Sequence, residues 1–149
     1  MEIERKYLID KDKLISDIDT YPHHIIEQGY MCTEPVVRIR KSDDEYYMTY
    51  KSKGLMAREE YNLPLTKEGY YHLLPKCDGN IISKTRYMIP LDQHTIELDI
   101  FSGKFEGLIL AEVEFESIEE ANNFTPPEWF GEDVTFSTKY HNSTMSKAD

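Results

Sequence analysis

The chain has 149 residues, of which 40% are hydrophobic and 30% charged, values that are usual for a globular domain with a buried core. Its formal net charge of −11 disfavours a nucleic-acid partner, because duplex binding needs a basic surface. No stretch is apolar enough to span a membrane, and the acidic start is unlike a secretory segment. We therefore expect a single domain over residues 1–149, located in the cytoplasm and without a membrane partner.

Alternation of apolar and polar residues predicts eight β-strands, rich in the Tyr, Ile, Val and Thr that suit a pleated surface. The strands are expected near 1–9, 23–32, 35–42, 45–53, 58–65, 80–90, 94–102 and 108–116. Turn residues such as Lys53-Gly54 and Asp78-Gly79-Asn80 separate them, as a chain of short strands requires.

Helical patterns are few. Residues 66–75 begin with a Thr that can cap the first turn, and residues 117–124 begin with a Ser followed by Glu three positions later, a capping box. Shorter helices are expected near 11–18 and 139–147. Many strands with few helices predict a mainly β (α+β) protein, an antiparallel sheet or barrel with helices at its ends or on one face.

Most of the predicted strands carry one charged face and one apolar face, and the charges are sorted by sign. The like-charged pairs are Glu2 with Glu4, Arg38 with Arg40, Lys84 with Arg86, Glu97 with Asp99, and Glu112 with Glu114. For any one strand, the charged face is most simply interpreted as the solvated face of a sandwich. Like charges on one face repel each other, however, so the sorting favours a ligand that supplies the opposite charge.

The alternative is a barrel whose charged face points inward and lines a wet tunnel, with its apolar face covered by helices. Carboxylates in such a tunnel would suit Mg²⁺ or Mn²⁺, which prefer hard oxygen ligands. Arginines and lysines would hold phosphate groups. A metal ion and cationic clamps on a chain of phosphates are the requirements of phosphoryl transfer, so the pattern points to that chemistry.

The opening Glu2-Ile3-Glu4-Arg5-Lys6 resembles the E-x-E-x-K motif of the triphosphate tunnel metalloenzymes, the CYTH superfamily. Further segments follow in the family's order: VRIRK, YMTYKSKG, REEYN, SKTRYMI, IELDIFSG and LAEVEFES. The resemblance implies an eight-stranded antiparallel closed barrel with a charged interior and a few flanking helices. It also implies a small-molecule triphosphate substrate and Mg²⁺ or Mn²⁺ as cofactor.

The resemblance also assigns roles to individual residues. The implied metal ligands are Glu2, Glu4, Glu112 and Glu114. The implied triphosphate contacts are Lys6, Arg38, Arg40, Lys51, Arg58, Lys84, Arg86 and Lys139, the last in a C-terminal element that plugs one tunnel mouth. Glu60 and Asp99 match acidic wall positions to which we assign no role, and the run PPEWFGEDVT is expected to pack as a structural cover.

Within the family, the chain is most similar to the short bacterial type, in which a Tyr–Lys pair is thought to activate the attacking water. The matching residues are Tyr30 and Lys84. An ordinary tyrosine has a pKa near 10 and is a poor base at neutral pH, so Tyr30 has a second interpretation. In that interpretation it is a wall aromatic that orients water or substrate.

The resemblance implies metal-dependent hydrolysis of inorganic triphosphate to pyrophosphate and phosphate. Alternatives on the same scaffold are a class IV-like adenylate cyclase and a thiamine or nucleoside triphosphatase. A non-catalytic binder of polyphosphate or a nucleotide is the alternative of another class, and the four acids argue against it. Monomer and homodimer both stay open.

Overall fold

The computed structural model of the protein describes residues 1–148, which form one antiparallel sheet rolled into a barrel. The strands are β1 Glu2–Leu8, β2 His23–Thr33, β3 Val36–Ser42, β4 Glu45–Lys51, β5 Ala57–Arg58, β6 Glu60–Pro64, β7 Asp78–Leu91, β8 His94–Ser102 and β9 Ile109–Glu114. Their order across the sheet is β5-β1-β9-β8-β7-β2-β3-β4-β6. The predicted mainly β, antiparallel barrel is confirmed.

The barrel closes between the two terminal strands of this order, which adjoin in the chain. β5 pairs with β1 (Glu2 opposite Arg58), whereas β6 pairs with β4 (Lys51 opposite Glu60). Only Glu59 separates β5 from β6, and its backbone still bonds to Ser52 at the end of β4. The single strand predicted at 58–65 is therefore two strands, giving nine instead of eight, because the segment changes neighbour at Glu59.

A second segment extends the closure beyond β5. The backbone N–H of Leu8 donates to Glu132 O at 2.9 Å, and the N–H of Val134 donates to Lys6 O at 2.8 Å. In the same segment the Phe130 ring packs on Tyr7, with 4.9 Å between ring centroids. The tail containing PPEWFGEDVT thus covers the free edge of β1, which confirms its predicted structural role.

Charged side chains lie inside the barrel and apolar ones outside it. The larger apolar cluster includes Ile3, Ile96, Leu98 and Val113 on the outer strand faces, packed beneath Phe130 and other residues that follow the strands. A smaller apolar cluster closes one end of the barrel, where inner-wall residues meet the C-terminal segment. Its buried members are Tyr30, Val36, Ile82, Phe101, Leu110, Val134 and Met145.

Three short α-helices accompany the barrel: α1 Lys67–Leu73, α2 Ile118–Asn122 and α3 Asn142–Met145. The first two confirm the predictions, since the side-chain oxygens of Thr66 and Ser117 each accept a hydrogen bond from the backbone N–H three residues later. None of the helices in residues 1–148 has the length and hydropathy needed to cross a bilayer.

The other two helix predictions were less accurate. The helix expected near 11–18 is wrong, because Asp10 caps a tight turn at Lys11–Lys13 and the chain becomes extended at Leu14. The helix expected over 139–147 shortens to α3, because His141 is extended (φ −71°, ψ 133°) and separates α3 from a preceding turn.

Phe130→Ala should lower the free energy of unfolding by about 3–5 kcal/mol, because it removes a buried ring from the contact between the tail and β1. The measurement is urea unfolding followed by circular dichroism. Phe136→Ala is the matched control, since that ring is 62% exposed in the same tail, and it should change stability by less than about 0.5 kcal/mol. Equal effects of the two substitutions would contradict the closure described above.

Candidate active site

The inner faces of the strands enclose a cavity of about 680 Å³, lined mostly by charged side chains. The predicted site residues that line it are Glu2, Glu4, Lys6, Tyr30, Arg38, Arg40, Lys51, Arg58, Lys84, Arg86, Glu112 and Glu114. Glu60 also lines it, while Asp99 is fully buried in the wall. The predicted inward orientation of the charged face is therefore what the structure shows.

The strand register explains how these residues meet. β1 and β9 pair so that Glu4 lies opposite Glu114 and Lys6 opposite Glu112. Because alternate residues share one face of a strand, the acid pairs Glu2–Glu4 and Glu112–Glu114 form one acidic wall. Arginines on β3 and cations on β7 form the basic part of the interior.

One ion-pair network surrounds Glu2. Lys51 Nζ lies 3.1 Å from both carboxylate oxygens of Glu2, and Arg58 Nε lies 3.2 Å from Oε1. Lys51 also pairs with Glu60, at 3.3 Å. Burial alone would raise the pKa of Glu2, but these partners, Lys51 first, lower that pKa to about 2. Glu2 is therefore a fixed negative charge, already compensated by protein cations.

A second network surrounds Asp99, which has no exposed surface. Its carboxylate lies 2.7 Å from Lys84 Nζ and accepts two hydrogen bonds from Arg86, at 2.7 and 2.9 Å. Burial would raise the pKa of Asp99, but the charges of Arg86 and Lys84 hold it below its ordinary value. Asp99 thus has a structural role: it holds two cations of the tunnel wall.

Lys6 and Lys84 differ in how fully a nearby carboxylate compensates their charge. Lys6 Nζ lies 3.4 Å from Glu112, whose charge keeps the pKa of Lys6 raised although Lys6 is buried. Burial lowers the pKa of Lys84 to about 7, and the opposing effect of Asp99 is too small to restore it. Lys84 is therefore the cation of the wall that is most easily deprotonated near neutral pH.

Arg38 and Arg40 line the cavity and are buried, each with only 7% of its surface exposed. Among residues 1–148, neither has a carboxylate within ion-pair distance. Arg38 donates from Nη2 to Thr49 Oγ1, and its buried Nε–H has no acceptor in the described part of the chain. Burial, followed by the charges of Arg38 and Arg86, lowers the pKa of Arg40 to about 10. Such a surplus of positive charge is what an anionic ligand would compensate.

Glu4 and Glu114 lack a cationic partner, because neither carboxyl group is in an ion pair with a residue of the described chain. Burial, followed by the charges of Glu112 and Glu2, raises the pKa of Glu4 to about 8. Burial and neighbouring acids also raise the pKa of Glu114. The four predicted acids therefore share one wall, but only these two have no protein cation of their own.

The two residues predicted as a catalytic pair both border the cavity. Tyr30 is 3% exposed and packs in the apolar cluster at the closed end. Lys84 lies over the Phe101 ring of the same cluster, with Nζ 5.3 Å from the ring centroid. Their assignment as catalytic residues stays a prediction.

The structure does not place Lys139 in the cavity. Its side chain is exposed, and Nζ lies 5.3 Å from the centroid of the Tyr140 ring. The C-terminal element reaches the tunnel through its next residues instead: Tyr140 O accepts from Lys6 Nζ, and Asn142 lines the cavity. The plugging role implied for this element is supported, whereas its basic residue faces elsewhere.

Sequence analysis missed two buried amides, Gln28 and Asn142, which bond to cations of the wall. Gln28 could have been found, because it shares the inward face of β2 with Tyr30, two residues away. Asn142 carried no such signal, because its position depends on the path of the chain after β9.

The fold and the cavity define a class of protein: an antiparallel β-barrel with a charged tunnel closed at one end. The model of a family described as CYTH domain matches residues 1–149. The chain belongs to this family, as the E-x-E-x-K resemblance predicted.

Two curated relatives cover nearly the whole chain. An inorganic triphosphatase of Nitrosomonas europaea is 38% identical, over 97% of this chain and 96% of that protein. An inorganic triphosphatase of Acetivibrio thermocellus is 34% identical, over 98% of this chain and 93% of that protein. The crystal structure of an inorganic triphosphatase matches with a TM-score of 0.74 and 35% identity, covering 100% of this chain and 96% of that one.

Asp99→Asn should lower the free energy of unfolding by about 3–5 kcal/mol, because it leaves Lys84 and Arg86 buried without their main counter-charge. Because the folded-state pKa of Asp99 lies below its ordinary value, the stabilisation is present at neutral pH and is lost as pH falls through that pKa. Unfolding by urea at neutral and acidic pH measures both effects, and the difference between wild type and variant should shrink in acid.

Asp12→Asn is the control for this comparison, since Asp12 is exposed and forms no ion pair in the described chain. It should leave the unfolding curve unchanged. An Asp99→Asn variant as stable as wild type at neutral pH would contradict the structural role of Asp99.

Proposed function

We propose that the protein hydrolyses inorganic triphosphate to pyrophosphate and phosphate inside the tunnel, with a divalent metal ion. The observation that carries the proposal is the pair of buried arginines, Arg38 and Arg40, whose charges no carboxylate of the described chain compensates. A bare buried cation costs several kcal/mol, so such a pair is typical of a site that binds an anion.

The shape and composition of the cavity favour a short chain of phosphates. Cations project into it from β1, β3, β4 and β7, so one extended anion can contact several of them at once. Its volume of about 680 Å³ is within the range of small-molecule sites. Charged side chains outnumber the apolar and aromatic residues of the lining, which are Ile26, Tyr30, Val36, Tyr47 and Met88. The curated relatives named inorganic triphosphatases point to the same substrate.

The acidic wall fits a hard divalent cation. Glu4 and Glu114 lie on adjacent strands, opposite each other, and are free of protein cations in the described chain. Carboxylate oxygens are the ligands that Mg²⁺ and Mn²⁺ prefer, with water and substrate oxygens completing the shell. No group of three or more acids, histidines or cysteines among residues 1–148 is arranged as a full site. We propose that Glu4 and Glu114 hold the ion, with Glu2 and Glu112 supporting it, and that it neutralises charge on the phosphates.

The reaction needs one water molecule. Its oxygen bonds to a terminal phosphorus, the bond from that phosphorus to the bridging oxygen breaks, and pyrophosphate leaves with the electron pair. The proton released by the water goes to a base or to the leaving group. In this proposal Arg38, Arg40, Lys6 and Lys84 bind the phosphates, and Tyr30 together with Lys84 orients the water at the closed end.

Three other functions would use the same tunnel. A cyclase would convert ATP to cyclic AMP, and a thiamine or nucleoside triphosphatase would release phosphate from a larger molecule. A binder would hold the anion without turnover. The test is to incubate the purified protein with inorganic triphosphate, ATP and thiamine triphosphate, each with Mg²⁺ or Mn²⁺.

The assay measures phosphate, pyrophosphate and cyclic AMP. We expect equal amounts of phosphate and pyrophosphate from inorganic triphosphate, and much slower reaction of the other two compounds. Formation of cyclic AMP from ATP would contradict the proposal and identify the protein as a cyclase. Binding without turnover of any compound would contradict it and identify the protein as a binder.

Glu4→Gln should lower turnover of inorganic triphosphate at least about 100-fold, because it removes an uncompensated carboxylate from the acidic wall. The fold should be retained, since glutamine has the same shape and carries no buried charge. Steady-state kinetics at several metal concentrations, with circular dichroism as a check on folding, measure the effect. Glu106→Gln, at an exposed position, is the control, and a Glu4→Gln variant with wild-type turnover would remove Glu4 from the metal site.

Arg40→Ala should weaken binding of inorganic triphosphate by about 1.5–3 kcal/mol, the value of one charge-assisted hydrogen bond. Calorimetric titration of the protein with triphosphate measures the affinity directly. Lys53→Ala is the matched control, because Lys53 is a cation exposed outside the cavity. Should Lys53→Ala weaken binding as much as Arg40→Ala, the anion would bind to the exterior and not in the tunnel.

A further inference from the structure

Two buried amide side chains connect the closed end of the tunnel to two of its cations. Gln28, on β2, is 0% exposed and donates from Nε2 to Asn142 Oδ1 at 2.8 Å. Its own Oε1 accepts from Arg40 Nε at 2.7 Å. Asn142 Oδ1 also accepts from Lys84 Nζ at 3.0 Å. One continuous series of hydrogen bonds therefore runs from Arg40 through Gln28 and Asn142 to Lys84.

The Gln28 contact fixes the direction in which Arg40 points. A guanidinium has five N–H donors in one plane, and Gln28 engages the donor nearest the side-chain stem. Tyr47 lies 3.4 Å from Nη1, at the other edge. With Nε bonded to Gln28 and Nη1 to Tyr47, the guanidinium of Arg40 is fixed at two points in the cavity wall.

The amides of Gln28 and Asn142 carry no charge, and for anion binding this matters as much as their geometry. A carboxylate at either position would orient the cation equally well, but it would also cancel the charge that an anion needs. Lys84 illustrates the difference, because it already pairs with Asp99 and takes only a neutral second acceptor from Asn142. Gln28 and Asn142 therefore hold two cations in place without neutralising them.

We propose that Gln28 and Asn142 act as positioning residues that orient Arg40 and Lys84 toward the phosphates, an inference that rests on the proposed function. Asn142 is the first residue of α3, so the C-terminal segment is part of the site and not only its cover. The same segment supplies Tyr140 O as an acceptor for Lys6 Nζ, at 3.3 Å.

The first test is a double-mutant cycle on triphosphate hydrolysis, using Gln28→Leu and Arg40→Ala. Gln28→Leu alone should lower kcat/KM for inorganic triphosphate about 10-fold to 100-fold, mainly through KM, the equivalent of one hydrogen bond to a charged group. In the Arg40→Ala background the same change should cost less than about threefold, because Gln28 acts through Arg40. Independent, multiplicative losses would overturn the proposal.

Asn142→Leu and the milder Asn142→Ser provide a second route if Gln28→Leu does not fold. Both should lower kcat/KM about tenfold or more, because the amide contacts Lys84 and Gln28 directly, and circular dichroism should show that each variant is folded at the assay temperature. Thr144→Ala is the matched control, an exposed residue on the same helix that should leave activity unchanged. If both Asn142 variants kept wild-type kcat/KM, Asn142 would have no positioning role.

A measurement made without substrate distinguishes a failure of this inference from a failure of the proposed function. The Arg40 Nε–H resonance, assigned by its loss in Arg40→Ala, should exchange slowly with water in wild type and rapidly in Gln28→Leu. Slow exchange in wild type together with no triphosphate turnover would leave the amide contacts intact and refute the proposed function. Rapid exchange in a wild-type protein that hydrolyses triphosphate would refute the positioning role alone.

Discussion

The structure depends on one constraint: charges inside a protein need opposite charges or hydrogen bonds around them, because burial removes the water that would otherwise stabilise them. The barrel meets this constraint only in part. Glu2 and Asp99 each hold two cations in ion-pair networks. Among the described residues, Arg38 and Arg40 remain as uncompensated positive charge, and Glu4 with Glu114 as acidic groups without a protein cation, whose raised pKa values a bound cation would lower.

The unpaired arginines and the unpaired acids do not neutralise each other, because they lie on different strands with the ion-pair networks of Glu2 and Asp99 between them. β3 carries the arginines, and β1 with β9 carries the free acids. A ligand that combines an extended anion with a divalent cation would satisfy both at once. This separation is the physical basis on which we propose a metal-dependent triphosphatase, and the neutral amides of Gln28 and Asn142 are consistent with it, because they preserve the positive surplus.

Much of this arrangement could be predicted from the sequence, since the sorted like-charged pairs favoured a ligand-binding interior over a simple solvated face. Their alternation fixed which residues share a strand face, and the E-x-E-x-K motif indicated the family. The pairing of individual acids and bases could not be predicted, because it depends on the register between strands that are far apart in the chain. The ion pairs of Lys6 with Glu112 and of Lys51 with Glu2 are of this kind.

The errors have similar causes. The strand break at Glu59 follows from a change of neighbour that local alternation does not report. Lys139 matched a family position, but the extended residue His141 and the short α3 place Asn142, not Lys139, against the tunnel. Sequence patterns within one strand were thus reliable, whereas the path of the C-terminal segment was not.

The central claim is that the uncompensated arginines bind the phosphates, and a crystal structure with inorganic triphosphate and Ca²⁺ in place of the active ion tests it most directly. The account predicts one extended triphosphate inside the barrel, with phosphate oxygens within hydrogen-bond distance of the guanidinium groups of Arg38 and Arg40. A triphosphate bound only on the outer surface, with the tunnel filled by water, would contradict it.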